Sequence, residues 1–319
     1  MVEAYVDHLA FTLGDQMQTV EESVDLGRTL SGAREFREAG FARHHVCSTQ
    51  VSAYDLARQT AEKIRGHLTG AGTIIYATCL PANGSLGDQQ RFFESRDVKH
   101  LMDFPASHLQ ADLGLDNATV IGLNQQACTG MLGSLRLARS LIIAEPDIER
   151  VLCITADRFP EGAVYEQAYN LISDGAAACV VSRVPAGFRL IACHGITNGA
   201  LARADDDETA GSFFAYAYRV IHETLAKAAI ALSDIDWIVA QNTNIKAWQI
   251  LAGLLRYDLG RVYCSTMKET GHVISGDNII NLHALVEEGG VRGGERLMLF
   301  MAGYGLNWQC VILERVGHG

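Results

Sequence analysis

Apolar residues along the chain fall into short runs bounded by turn residues, and these runs predict strands over 3–13, 73–78, 118–127, 150–157 and 176–184, then over 188–199, 237–243, 262–267, 295–303 and 307–316. They divide five and five. Between them apolar positions recur at helical spacing over 50–68, 86–114, 128–144 and 162–172 in the first set, and over 210–231, 245–256 and 276–289 in the second. Strands alternating with helices in this way bury a mixed sheet under helices on both faces, which is a layered α/β fold. The seam falls at Arg183-Val184-Pro185-Ala186-Gly187, giving halves of 1–184 and 185–319 with no long linker between them. The polar stretch Arg203-Ala204-Asp205-Asp206-Asp207-Glu208-Thr209 is expected to be a solvated loop, because it lacks the staggered oxygen ligands and turn glycine of a calcium loop.

Composition narrows the class. With 48% hydrophobic residues, 31 Gly and only 5 Pro in 319 residues, disorder, collagen and coiled coil are excluded. The balance of 37 acidic against 26 basic residues, a formal charge of −11, argues against a nucleic-acid partner, which needs clustered Lys and Arg. No apolar run reaches the ~18 residues of a membrane span, and the start, Met1-Val2-Glu3-Ala4-Tyr5-Val6-Asp7, is acidic where a secretory signal is basic. No membrane association and a cytoplasmic location are therefore expected. The 8 cysteines include no CxxC pair and no Cys/His cluster at zinc spacing, so they read as reduced thiols, mostly core residues. His44-His45 is no metal site by itself, since neighbouring side chains diverge. No metal and no bound cofactor are expected.

One segment carries chemistry. Ala118 to Ala127 runs as a strand into a helix from Met131 to Ile143, whose Met131, Leu132, Leu135, Ala138 and Ile142 form one apolar stripe. Cys128 sits at the strand-to-helix turn, where the helix N-terminus lowers a thiol pKa and favours the nucleophilic thiolate.

Four stretches in order resemble the β-ketoacyl-acyl carrier protein synthase III family of the thiolase superfamily, over nearly the whole chain. Gln126-Ala127-Cys128-Thr129-Gly130-Met131 looks like its nucleophile turn, and Ile172-Ser173-Asp174-Gly175-Ala176-Ala177-Ala178 like its Gly-Asp-Gly-Ala segment. Asp236 to Asn244 resembles the strand that normally ends Pro-His-Gln-Ala-Asn, and Gly303-Tyr304-Gly305-Leu306-Asn307-Trp308 is similar to its closing glycine turn. The resemblance implies a thiolase-like five-layered αβαβα fold from two duplicated halves, usually a homodimer, with the reactive Cys at the bottom of a tunnel that admits an acyl-pantetheine arm.

Two departures matter. Gln241 stands where the family has its first His, and His272 where it has an Asn, in Gly271-His272-Val273-Ile274-Ser275-Gly276-Asp277. With Asp277 five residues on, the chain is similar to the synthase-III-like acyltransferases of natural-product pathways, which use Cys-His-Asp. Acyl transfer needs a thiolate, a base for the acceptor and donors for the oxyanion. Cys128 and His272 supply the first two, and Asp277 would hold the imidazole in one tautomer. By carry-over, the backbone N–H groups of Cys128 and Tyr304 would be the oxyanion donors. Asn244 matches a second polar position of the site, or else caps the helix that follows. The alternative readings are a turn histidine satisfying a backbone carbonyl for His272 and a helix N-terminal acid for Asp277. Gln241 is able to donate a hydrogen bond to substrate but not to act as acid or base. Asp174 reads as turn chemistry.

The leading expectation is an acyltransferase that takes an acyl group from acyl-CoA or a phosphopantetheinyl acyl carrier protein onto Cys128, and passes it to a hydroxyl, amine or carrier thiol in polyketide or other secondary metabolism. The alternative is decarboxylative condensation with a malonyl thioester, and a third is a non-catalytic partner subunit. An acidic carrier would dock on a basic rim, for which Arg34, Arg37, Arg43, Lys246 and Arg256 are candidates. The 86–102 stretch, with Phe92 and Phe93, is expected to cover either the tunnel mouth or a dimer seam.

Overall fold

The computed structural model describes residues 2–168, 170–203, 206–304 and 306–317. The first half supplies strands β1 (Tyr5–Leu13), β4 (Thr73–Ala77), β5 (Thr119–Leu123), β6 (Arg150–Asp157) and β9 (Gly175–Ser182), with two small hairpins, β2 (Gln16–Thr19) with β3 (Arg43–Val46) and β7 (Glu166–Gln167) with β8 (Asn170–Leu171). The second half supplies β10 (Phe188–Thr197), β11 (Trp237–Val239), β12 (Val262–Tyr263), β13 (Arg296–Gly303) and β14 (Asn307–Arg315). The principal sheet runs β12-β11-β13-β14-β10-β1-β9-β6-β4-β5. Numbering the five principal strands within each half gives the same order, 3-2-4-5-1, so the halves are duplicates. They meet where β1 pairs antiparallel with β10 at Tyr5↔Arg189 and Val6↔Phe188.

Helices complete five layers. In the first half α1 (Val20–Asp25) and α2 (Ala33–Ala39) lie between β2 and β3, followed by α3 (Ala53–Lys63), α4 (Gln89–Ser95), α5 (Pro105–Asp112) and α6 (Gly130–Ala144). The second half has α7 (Asp206–Ala228), α8 (Ile245–Leu255), α9 (Met267–Thr270) and α10 (Asp277–Glu287). Helix α6 touches β4, β6 and β9 of one half and β10 and β14 of the other, while α10 touches β1 and β9 on one side and β11 and β13 on the other. These two are the central layer. Helices α3 and α5 cover the first half outside, and α7 with α8 cover the second. The stripe Met131, Leu132, Leu135, Ala138, Ile142 on α6 is wholly buried, as a helix packed against strands of both halves requires. Ala127–Ala144 has the length and apolarity of a membrane span, and here it is that central core helix.

Several expectations need correction. The helix expected over 86–114 breaks into α4, a 3-10 turn and α5, because Arg96 turns left-handed at φ 60° and Pro105 lacks the N–H a continuing helix needs. Among the described residues of 162–172 no helix forms; Ala168 at φ 47° turns the chain, and Glu166 pairs with Leu171. The Glu166 carboxylate accepts from Leu30 N and Ser31 N at 2.7 and 2.8 Å, a long-range tie that outweighs local propensity. Helix α7 begins at Asp206, so 206–209 are helical and not loop, while Ala204 and Asp205 lie outside the described residues. The β2–β3 hairpin was not legible, since Gln16 to Thr19 carries too few apolar positions to read as a strand.

Candidate active site

The nucleophile turn is built by close approach. After β5 the chain passes through Ala127 at φ 45° into the short 3-10 turn Ala127–Thr129 and on into α6. Ser275 donates its hydroxyl to Ala127 O at 3.1 Å, tying this turn to the one before α10. Gly130 and Gly303 admit the neighbours. A Cβ on Gly130 would meet Ala77 Cβ at 3.1 Å, and one on Gly303 would lie 2.8 Å from Cys128 N. Cys128 is thereby 5% exposed, at the inner end of the central layer.

His272 and Asp277 arrive on one segment. Gly271, at φ 63° and ψ −162°, adopts a backbone region open essentially to glycine, and its missing side chain leaves room for Leu171 O and Ser173 Oγ. His272 N donates to Leu171 O at 2.8 Å and Ser173 N donates to His272 O at 2.9 Å, so the main chain of the histidine is clamped. Its Nδ1 donates to Asp277 Oδ2 at 2.5 Å. The fully buried carboxylate also accepts from Asn242 N and Val273 N, both at 2.7 Å. With Nδ1 engaged, Nε2 is the ring nitrogen left to serve the Cys128 sulfur, and each of the two groups shifts the titration of the other.

The electrostatics follow. A hydrogen bond from the Cys79 thiol, then one from His272 and its positive charge, outweigh burial and lower the Cys128 thiol to about 5. Burial works against the His272 imidazolium, but the charge and hydrogen bond of Asp277 and those of Cys128 overcome it and raise the ring to about 10. The resting pair at neutral pH is therefore thiolate and imidazolium. A thiolate beside an imidazolium and an oriented carboxylate is able to attack a thioester and then to activate a second nucleophile.

Other expected residues are placed differently. Asn244 does not join the cluster: its Oδ1 accepts from Lys246 N at 3.0 Å and caps α8. Gln241, expected to bind substrate, is engaged within the fold. Its carboxamide pairs in both directions with the backbone of Ala302, at 2.9 and 3.0 Å, inside the sheet. The basic rim is neutralised on the protein itself, Arg34 by Glu38 at 2.9 Å, Arg37 by Glu21 at 2.7 Å and Arg43 by Glu269 at 2.8 Å. Lys246 lies on a shallow cleft with Glu35 and Glu38, and Arg256 ends α8 in a left-handed turn. Tyr304 is 59% exposed at the β13–β14 turn, immediately after Gly303, and Gly305 lies outside the described residues. Asp174 is structural, accepting from Cys47 N, Phe159 N and Tyr165 Oη. His44 is buried between Ser23 Oγ and Ile172 O, and among the described residues no group of three or more metal-ligating side chains occurs.

Three residues that sequence reasoning missed complete the site. Asn242 holds the Asp277 carboxylate with its N–H and, with its side chain, reaches Gly271 O at 2.9 Å. Asn278 donates to Val239 O at 2.9 Å, and Asn281 donates to Ala240 O at 3.0 Å, pinning α10 to the end of β11. Their signal was three Asn facing one strand end, which is visible only once α10 and β11 are adjacent.

Two family profiles match the chain: 3-oxoacyl-[acyl-carrier-protein] synthase III over residues 124–199 and the C-terminal part of the same family over residues 225–315. Together they span just over half of it. The β-ketoacyl-[acyl-carrier-protein] synthase III of Chlamydia caviae is 27% identical over 253 residues, 70% of this chain and 75% of that protein. The protein of the same description from Chlamydia muridarum is 23% identical over 342 aligned positions, covering 98% and 97% of the two chains. Among solved structures, ChlB3, described as an acyltransferase, superposes with a TM-score of 0.83 at 19% identity over 99% of this chain and 98% of its own. The 3-oxoacyl-[acyl-carrier-protein] synthase III of Aquifex aeolicus VF5 gives 0.81 at 21% identity over 98% and 99%. These superpositions establish the thiolase-type fold.

Proposed function

This chain belongs to the 3-oxoacyl-acyl carrier protein synthase III family, transferases that act on acyl thioesters, and from that premise we propose that it is an acyltransferase working through an acyl-Cys128 intermediate. The observation that carries the reading is the Nδ1 to Asp277 bond of His272, which turns the other face of the imidazole to the Cys128 sulfur. In the first half-reaction the Cys128 thiolate attacks the thioester carbonyl, and the tetrahedral oxyanion rests against the backbone N–H groups of Cys128 and Tyr304. The donor thiolate leaves with the proton of the His272 imidazolium. Once Cys128 is acylated its negative charge is gone, and with it part of what held the proton on His272. The neutral ring then takes a proton from a hydroxyl, amine or thiol as that group attacks, and Cys128 returns as thiolate beside a recharged imidazolium. Asp277 keeps the ring oriented throughout.

The donor is a pantetheine thioester, of coenzyme A or of an acyl carrier protein. The same chemistry would serve polyketide or other secondary metabolism. We assign a homodimer as well; what supports it is the open outer edge of β5 and the exposed Phe93, Met102 and Phe104, and light scattering of the purified protein tests it.

A second reading is decarboxylative condensation, favoured by the synthase III descriptions of the relatives. Against it, Gln241 is locked to Ala302 and leaves one histidine, where carbanion formation wants two positioned donors at the thioester carbonyl. Intact mass after exposure to a panel of acyl thioesters tests the proposal. A stable acyl adduct on wild-type protein, absent in Cys128→Ala, supports it; no adduct on folded protein refutes it. Carbon dioxide release from a malonyl thioester with wild-type protein would put condensation first.

A further inference from the structure

His44 stands on β3 and takes no part in the Cys-His-Asp triad, yet it is wholly buried and both its ring nitrogens are engaged. Nδ1 donates to Ile172 O at 2.6 Å, since a carbonyl only accepts, and Nε2 accepts from the Ser23 hydroxyl of α1 at 2.5 Å. Burial, acting against the bond to Ile172 O, lowers the ring to about 4, so it is neutral around pH 7 with its proton on Nδ1. A serine beside a histidine has the make-up of a nucleophile and its base, but Ser23 is as deeply buried as His44, out of reach of substrate. What the pair holds is backbone. Residues 171–174 run as one strip between β3 and the segment that carries His272. Towards β3, His45 N donates to Ser173 Oγ at 2.9 Å and Asp174 N donates to His45 O at 2.8 Å. Towards the triad, His272 N donates to Leu171 O and Ser173 N to His272 O, a parallel bridge centred on Ile172. Backbone groups alternate in direction along an extended strip, so Leu171 O and Ser173 N face His272 while Ile172 O, between them, faces His44. The two elements also touch directly, for a Cβ on Gly271 would lie 3.2 Å from His44 Cβ.

We propose that His44, steadied by Ser23, is a positioning residue for His272: it holds Ile172 O and thereby fixes the two backbone groups that clamp the main chain of the catalytic imidazole. Without the ring, Ile172 O and the Ser23 hydroxyl are left buried with no partner, a state that a folded chain relieves by moving. The strip then turns about its own axis, and Leu171 O and Ser173 N, which sit on either side of Ile172, move with it. His272 follows its clamp, while Asp277 stays anchored by Asn242 N and Val273 N. The bond from His272 Nδ1 to Asp277 Oδ2 is therefore the first contact to feel the change. A reacting group misplaced by about 1 Å costs about a hundredfold in rate, so a ring that never meets substrate governs the reaction through the geometry of one that does. The inference rests on the reading of His272 as the base that serves Cys128; the effect on the His272 to Asp277 bond holds whatever the acceptor.

The test compares wild type with His44→Ala and with His44→Asn, whose amide keeps an N–H donor where Nδ1 stands, folding being checked by near-UV circular dichroism. One readout is the low-field proton resonance of the His272 Nδ1 to Asp277 bond, assigned by its loss in Asp277→Asn. The other is the pH midpoint of Cys128 alkylation by iodoacetamide, followed by peptide mass. In His44→Ala the resonance is expected to be lost and the alkylation midpoint to rise by about one pH unit, equivalent to about tenfold in the thiolate equilibrium; His44→Asn restores both. If either readout in His44→Ala coincides with wild type the proposal is overturned, as it is when His44→Asn fails to restore them. A lower urea midpoint with both readouts unmoved marks a merely structural residue and overturns it as well. Should His44→Ala not fold, Ser23→Ala, which strips Nε2 of its donor and frees the ring to turn, takes its place with the same two outcomes. Both readouts moved as expected, with no acyl adduct on wild-type protein from any thioester, would sink the acyltransferase reading and leave this role of His44 standing.

Discussion

Replacing Asp277 with Asn keeps the shape of the side chain and removes its charge, and the structure sets the consequences. Oδ1 accepts from Val273 N, while Oδ2 accepts from Asn242 N and His272 Nδ1. An amide has one oxygen end, so in either orientation its NH2 faces a buried N–H donor. At least one unsatisfied donor costs about 1–3 kcal/mol of stability. The lost charge also removes the largest influence raising the His272 pKa, so the ring falls from about 10 toward its ordinary value near 6.5. A raised histidine stabilises the fold fully below its ordinary value and loses that contribution as pH climbs through about 10, so the charge-dependent part of the destabilisation is measured at pH 6 and fades above pH 10. The effect on Cys128 has two signs. The Asp277 charge opposes the thiolate directly, but the hydrogen bond and charge of His272 both act more strongly on it than Asp277 does. Losing the imidazolium therefore prevails, and the alkylation midpoint of Cys128 should rise in Asp277→Asn relative to wild type. A charge-assisted hydrogen bond of about 1.5–3 kcal/mol corresponds to roughly 10- to 150-fold in acyl-transfer rate. Iodoacetamide profiles and urea unfolding at pH 6 and 10 read these effects. A variant thiol titrating at or below the wild-type midpoint would refute the chain of influence from Asp277 through His272 to Cys128.

Gly271→Ala forces a side chain into a left-handed backbone and against Leu171 O at 2.9 Å, and should lose about 1–3 kcal/mol from strain alone, seen as a lower urea midpoint. Gly303→Ala places a Cβ 2.8 Å from Cys128 N, where only backbone is available to move; acylation of Cys128 should slow about a hundredfold, by rapid-quench mass spectrometry, as expected for displacement of a reacting atom. Asn244→Ala removes a helix cap and should cost about 1 kcal/mol in thermal unfolding while leaving the acylation rate unchanged, and a large rate loss would return Asn244 to the site.

The ten strands of the principal sheet were legible because each carries an apolar run between turn residues, buried in all but the edge strand β5, and the α6 stripe because a helix packed between strands of both halves must be apolar on its inner faces. The short hairpins were not. Their pairing rests on distant ties such as Glu166 to Ser31, which no local pattern reports. Within the site, Cys128 was legible from its strand-to-helix turn, and the five-residue spacing of His272 and Asp277 from one segment. The bonds that Asn244 makes to Lys246 N and Gln241 to Ala302 were not legible, because a family position specifies where a residue stands but not which backbone group claims its amide.

Local sequence alone determined that a cysteine would stand at a helix start and that a histidine and an aspartate would share one tight turn, since both features depend only on residues a few positions apart. What only the tertiary structure decided is that these two turns, 144 positions apart in the chain, meet across the duplicated halves. It also decided that Gln241 is spent on Ala302, and that the Asp157 carboxylate takes the backbone N–H groups of Cys79 and Leu80. Those contacts join segments whose separation along the chain carries no periodicity, and only packing of α6 and α10 between the two halves brings them within reach of one another.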